Sequence, residues 1–329
     1  MTDTPRSPTP ESALAWEAEQ RSRAGYSAVS AAVLTIIGSV VTGLGLKDLP
    51  KYDDRIVTVV DALRLTTEGR PIPPGRLAAQ AEYLGHHTTL PILGAILFGL
   101  GTLLIFLPLA YLFRATRARR PTLPQLALVL GAIGVVGFGV GRTVAEVSRY
   151  LGAQDFVHAA DHSNSAAADA LSGSTFLIGQ IIWQAGALGL GFAFVLLCLN
   201  AMRVGLLTRF MGILGLIVGV TFVLPLDQQG IIRVFWLAAL GVLILRRWPG
   251  GVPKAWDTGQ AEPWPTQQEV REQREATRIA AGGEARPGRE RRPAAPPAPP
   301  PVDAPGGRAD SSERVAHSAS KKRKRKRRS

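Results

Sequence analysis

The chain has 329 residues, 46% of them hydrophobic, with 38 Lys and Arg against 25 Asp and Glu, a net charge of +13 and one cysteine. A single thiol excludes an internal disulfide framework, and Cys198 has no ligand partner at metal spacing, so it reads as a small apolar residue between helices. Six long apolar runs exclude a wholly soluble domain, because about 20 consecutive apolar residues on a helix match the hydrocarbon core of a bilayer.

Residues 1–24 are polar and carry both Glu and Arg. They are expected to form a cytoplasmic N-terminal segment rather than a cleaved signal peptide, with the first apolar run, 25–46, kept as a span. The next runs are 89–113, 124–146 and 175–199. Two shorter ones, 210–226 and 231–245, flank Asp227-Gln228-Gln229-Gly230 and read as a tight helical hairpin, either crossing fully or re-entrant. The fold class expected is therefore an all-α membrane protein, a bundle of six transmembrane helices over 25–248.

Loop charge gives an orientation. Arg114, Arg117, Arg119 and Arg120 follow span two, Arg203 and Arg209 follow span four, and Arg246 and Arg247 follow span six, with no acid among them. The opposite loops are near neutral or acidic. The positive-inside rule then places both termini in the cytoplasm of a bacterial inner membrane.

The loop between spans one and two is expected to hold two short helices lying over the bundle as a lid. One carries Ile56, Val57, Val59, Val60 and Leu63 at helical spacing behind an Asp53 or Asp54 cap, and the other covers 77–84, with Pro71, Pro73, Pro74 and Gly75 between them.

Ionisable groups inside spans are costly and often functional. Arg142 and Glu146 are four apart on span three, where pairing is allowed. Gln180 and Gln184 share a face of span four, and Asp227 and Arg233 flank the hairpin. These six form a candidate polar cluster in the outer part of the membrane, suited to a small charged solute. In the second outer loop Asp155, His158 and His162 fall at i, i+3 and i+7, a spacing that could offer two imidazoles and a carboxylate to a metal, with His86 and His87 in the other loop as further donors. Gly137 and Gly141 in span three, and Gly215 and Gly219 in span five, are small-x-x-x-small pairs suited to close helix packing or to a homo-oligomer face.

From residue 249 the sequence turns rich in Pro, Ala, Arg and Glu and is expected to be a disordered cytoplasmic tail. Trp256 and Trp264 suit a headgroup interface, residues 267–281 a short helix, and 293–301 polyproline II. The last residues, Lys321, Lys322, Arg323, Lys324, Arg325, Lys326, Arg327 and Arg328, suit contact with anionic lipid. They lack interleaved aromatics, so a nucleic-acid partner is not expected.

The stretches AMRVGLLTRFMGILG, from Ala201 to Gly215, and RWPGGVPKAW, from Arg247 to Trp256, resemble segments of uncharacterised integral-membrane families of actinobacteria. That resemblance implies location and topology and carries no catalytic residue across. No catalytic motif or cofactor signature stands in the chain. Two functions are compatible with these features: a non-enzymatic structural or interaction protein whose basic tail touches anionic lipid, and a small-solute transporter or receptor using the outer polar cluster.

Overall fold

A computed structural model describes residues 9–50, 59–70, 75–224, 226–227, 230–264 and 267–280; among them every regular element is an α-helix. Helix α1 (Pro10–Gly45) begins well before the first apolar run. Thr9 caps it by accepting the Ser12 amide, and Pro10 occupies the first turn, where its missing N–H has no helical partner to lose. Helices α2 (Val59–Thr67) and α3 (Arg76–His86) are the two short helices of the first loop. The expected cap at Asp53 or Asp54, with Ile56 and Val57, lies outside the described residues.

Helices α4 (Thr89–Leu104) and α5 (Phe106–Arg119) make one 31-residue span interrupted at Ile105. Pro108 has no N–H to give the Leu104 carbonyl, and its ring crowds that oxygen. The freed carbonyl accepts the Ser27 hydroxyl of α1 at 2.7 Å, so a backbone defect becomes a contact between helices.

Helix α6 (Leu126–His158) has 33 residues. At 1.5 Å per residue it is about 50 Å long, well beyond a hydrocarbon core of about 30 Å. Its excess length supports α3 and α7 (Asn164–Leu171) through a second apolar cluster in which Leu84, Tyr150, Phe156 and Leu171 are buried. Of the two first-loop helices expected to cover the bundle, α3 docks on the extended α6 and is joined there by α7. Helix α8 (Ser174–Arg203) returns along α6. Glycines set that distance: a methyl on Gly137 would stand 2.9 Å from the Gly186 Cα, and one on Gly141 2.5 Å from the Trp183 nitrogen. Gly219 likewise faces the Gly191 carbonyl. The glycine pairs considered for a homo-oligomer face are therefore occupied within the chain, where close backbone approach gains dispersion contact.

Helices α9 (Arg209–Val223) and α10 (Ile231–Ile244) have 15 and 14 residues. At about 22 and 21 Å each is shorter than the hydrocarbon core. Gly191 packs against Val223 at the end of α9, so α8 continues for about 26 Å beyond the hairpin tip, to Ser174. Among the described residues four helices are long and apolar enough to cross a membrane, and α9 and α10 are shorter apolar helices beside them. Outward faces carry Val33, Ile36, Ile37 and Val40 on α1, Ile133, Val136 and Val140 on α6, and Ile213, Ile217 and Val220 on α9, all exposed and at helical spacing. Faces of that kind suit lipid rather than water. The chain is a polytopic all-α membrane protein.

The end of the bundle rich in arginine is closed by a clasp. Arg119 has no exposed side-chain surface and forms an ion pair with Glu17 of α1, 5% exposed. Its Nη2 also donates to the Ala255 carbonyl at 2.6 Å, and its Nη1 to Ala115 at 2.9 Å. Tyr111 donates to the Glu17 carbonyl and is stacked between Trp16 and Trp256. The Trp256 indole donates to Leu206 and that of Trp264 to Leu207, both at 2.8 Å. Residues 249–264, with α11 (Ala255–Thr258), are therefore a packed strap rather than the start of the tail. Trp256 is core, not an interfacial residue. The chain divides into two units, 1–268 and 269–329, and α12 (Gln267–Ala280) lies chiefly in the second. The proline-rich stretch and the basic run 321–328 fall outside the described residues.

Candidate functional site

The hairpin tip brings two cations into an aromatic cluster. Gly230 adopts φ +72°, a left-handed conformation that glycine enters without the usual Cβ penalty, and starts α10. The Asp227 carboxylate accepts the backbone amides of Ile231, Ile232 and Arg233 at 2.8, 3.1 and 3.3 Å. It is thereby committed to the positive helix terminus. The same turn folds the Arg233 side chain inward against Gly230.

Arg233 is 6% exposed. Its guanidinium carbon lies 4.8 Å from the ring centre of Phe222 and 5.4 Å from those of Phe98 and Phe138. Arg142 reaches the same cluster from α6, 4.0 Å from Phe98 and 5.5 Å from Trp183. Phe138 joins Trp183 and Phe222 edge-on. Phe98 thus carries both guanidinium groups. Each cation–π contact contributes roughly 0.5–2 kcal/mol, whereas burying an ion costs several. Among the described residues no carboxylate forms an ion pair with either arginine. Among the described residues, Arg233 Nη1 and Trp183 Nε1 are buried donors without a hydrogen-bond partner. Both belong to side chains packed on Phe138. The arrangement gathers two guanidinium groups in an apolar wall, with Asp227 and Glu146 acting on them through space rather than as ion-pair partners.

Of the six residues expected to cluster, the structure brings together Arg142, Arg233 and, through the helix cap, Asp227. Glu146 stays on α6, half-buried near Tyr150 and within electrostatic reach of Arg142, but the i, i+4 ion pair is not formed. The guanidinium lies on Phe98 instead. Gln180 is half-buried, and Gln184 is exposed on the same side as Ile181 and Leu188. Gln228 and Gln229 fall outside the described residues. The aromatic wall escaped the sequence reading; its one local signal is Phe138 four residues before Arg142.

Asp155, His158 and His162 do not converge. His158 Nδ1 lies 2.8 Å from its own-helix Gln154 carbonyl, and His162 sits edge-on to Phe156. Asp155 lines a cleft of about 730 Å³ with Thr143, Ser148, Asp169 and Thr175. His87 stacks on Tyr83. Among the described residues no three His, Cys, Asp or Glu side chains gather as a metal site would require.

Arg233 is two residues into α10, about 17 Å along the helix from Ile244 at the arginine-rich end. That distance is about half of a hydrocarbon core of about 30 Å, a consequence of the short hairpin. No protein-family model matches the chain, and no curated protein or solved structure matches it either, so the fold and the arginine cluster stand on their own geometry.

Proposed function

We propose that this chain is a multi-pass protein of a bacterial cytoplasmic membrane, both termini inside, that receives or carries a small anionic solute at the Arg142–Arg233 cluster. The orientation rests on the basic loops. The observation that carries the function is the buried Arg233 Nη1, a charged donor with no partner among the described residues. Asp227 acts on Arg233 only through space, from the helix cap; a buried cation lacking a paired carboxylate is expensive, and an anion bridging both guanidinium groups would offset that cost and satisfy Trp183 Nε1 as well. Planar guanidinium favours carboxylate or phosphate through paired hydrogen bonds. The basic run 321–328 would add contact with anionic lipid at the cytoplasmic face.

The test is a thermal-stability screen of the purified chain against small carboxylates and phosphates, run beside Arg233→Met. An anion that raises the melting temperature of the parent and not of the variant is the expected result. Without ligand the variant should be as stable as the parent or more so, because a lone buried charge has been removed. A variant that loses several degrees, together with a parent indifferent to every anion, would make Arg233 a structural residue.

A further inference from the structure

A groove lies at the arginine-rich end of the bundle, remote from the anion cluster. It runs between α1, α5 and α6 and encloses about 910 Å³. Ala24, Leu107, Ala110 and Leu128 form its apolar floor, and Arg23, Arg114 and Arg117 stand at its rim. Arg114 lies 4.3 Å above Trp16, and Arg117 5.9 Å from Phe113. Among the described residues no carboxylate pairs with any of the three. Glu17 is held by Arg119, and Glu19, four residues before Arg23 on α1, accepts from Gln20. Three guanidinium groups therefore face one opening with no ion-pair partner among the described residues.

Depth separates the two chemistries. Leu107 precedes Arg114 by seven residues on α5, about 10 Å further into the membrane. It is 47% exposed. The floor thus opens sideways at acyl-chain depth while the cations sit where headgroups lie, with half-buried Trp16 at the same level, as aromatic residues do at an interface.

We propose that this groove holds one anionic phospholipid of the adjoining leaflet, its phosphate among Arg23, Arg114 and Arg117 and an acyl chain along Leu107 and Leu128. Charge selects an anionic headgroup over a zwitterionic one, and the apolar floor selects a lipid over free phosphate. The site belongs to the folded bundle and does not depend on the basic run 321–328 or on the solute cluster.

The full chain is reconstituted in phosphatidylcholine vesicles containing a minor share of phosphatidylglycerol. The probe is phosphatidylglycerol bearing a photoreactive acyl chain, with the matching phosphatidylcholine as comparison, and crosslinked peptides are mapped. Labelling around 107–128 should exceed the phosphatidylcholine level by about tenfold or more, each arginine near an anionic headgroup contributing about 1 kcal/mol. Arg23→Gln/Arg114→Gln/Arg117→Gln should bring it down to that level. Leu107→Trp, which keeps the charges and fills the floor, should also abolish it, and it carries the test if the triple variant fails to fold. Equal labelling by the two lipids, labelling that survives Leu107→Trp, or labelling confined to 321–328 would overturn the assignment.

Discussion

Replacing Glu17 by Gln removes the carboxylate paired with Arg119, whose side chain is fully buried. Losing one partner of a buried ion pair typically costs 3–5 kcal/mol, because the remaining charge stays desolvated. Arg119 keeps its bonds to the carbonyls of Ala115 and Ala255, which places the expected loss at the lower end, about 3 kcal/mol. For a chain of this size that corresponds to a melting temperature lower by about 4–6 °C. Arg119→Met should be comparably harmful, since it strands the Glu17 carboxylate. The double variant, Glu17→Gln with Arg119→Met, should recover a good part of the loss, with a coupling of about 2 kcal/mol. Thermal unfolding of the purified chain, followed by tryptophan fluorescence, measures all four forms. Trp16 and Trp256, which flank Tyr111 in the clasp, contribute to that signal. A Glu17→Gln form that melts with the parent, or singles whose losses simply add in the double, would refute the view that this pair closes the end of the bundle.

Two other outcomes follow from helix packing. Gly137→Ala places a methyl 2.9 Å from the Gly186 Cα and should cost about 1–3 kcal/mol; Gly43→Ala, which meets nothing within 4 Å, should be neutral or slightly stabilising by the same melting assay. Ser27→Ala leaves the Leu104 carbonyl without its 2.7 Å bond and should cost about 1 kcal/mol, a loss that should largely vanish in a Pro108→Ala background, where residue 108 can donate to that carbonyl again.

Hydropathy alone displayed the spans, because a bilayer demands a contiguous apolar length on a helix that satisfies its own backbone. Helix ends were less legible. Thr9 and Pro10 extend α1 through a polar stretch, and α6 continues past Glu146 because Tyr150, Ala153 and Phe156 bury themselves under α3 and α7. The spacing of Asp155 and His158 did belong to a helix, but nothing in a single sequence says which neighbouring side chains approach it. The same limit governs the arginine cluster. Local spacing offered Arg142 a partner at Glu146, whereas Phe98 and Trp183, brought by other helices, provide its observed contacts. The strap was hidden by composition: proline and charge suggest disorder, and only the packed indoles of Trp256 and Trp264 show that residues 249–264 belong to the fold.

The clasp also fixes an order of events during synthesis. Arg119 and Ala255 are 136 positions apart, and ribosomes add about 5–20 residues per second. Glu17 and Arg119 can meet soon after the second span enters the membrane, but the carbonyl of Ala255 and the ring of Trp256 follow some seven to thirty seconds later. Until then the bundle stays open at its arginine-rich end, with the first and second spans joined and the hairpin free to enter. A late piece of the bundle is therefore the one that seals its first helix.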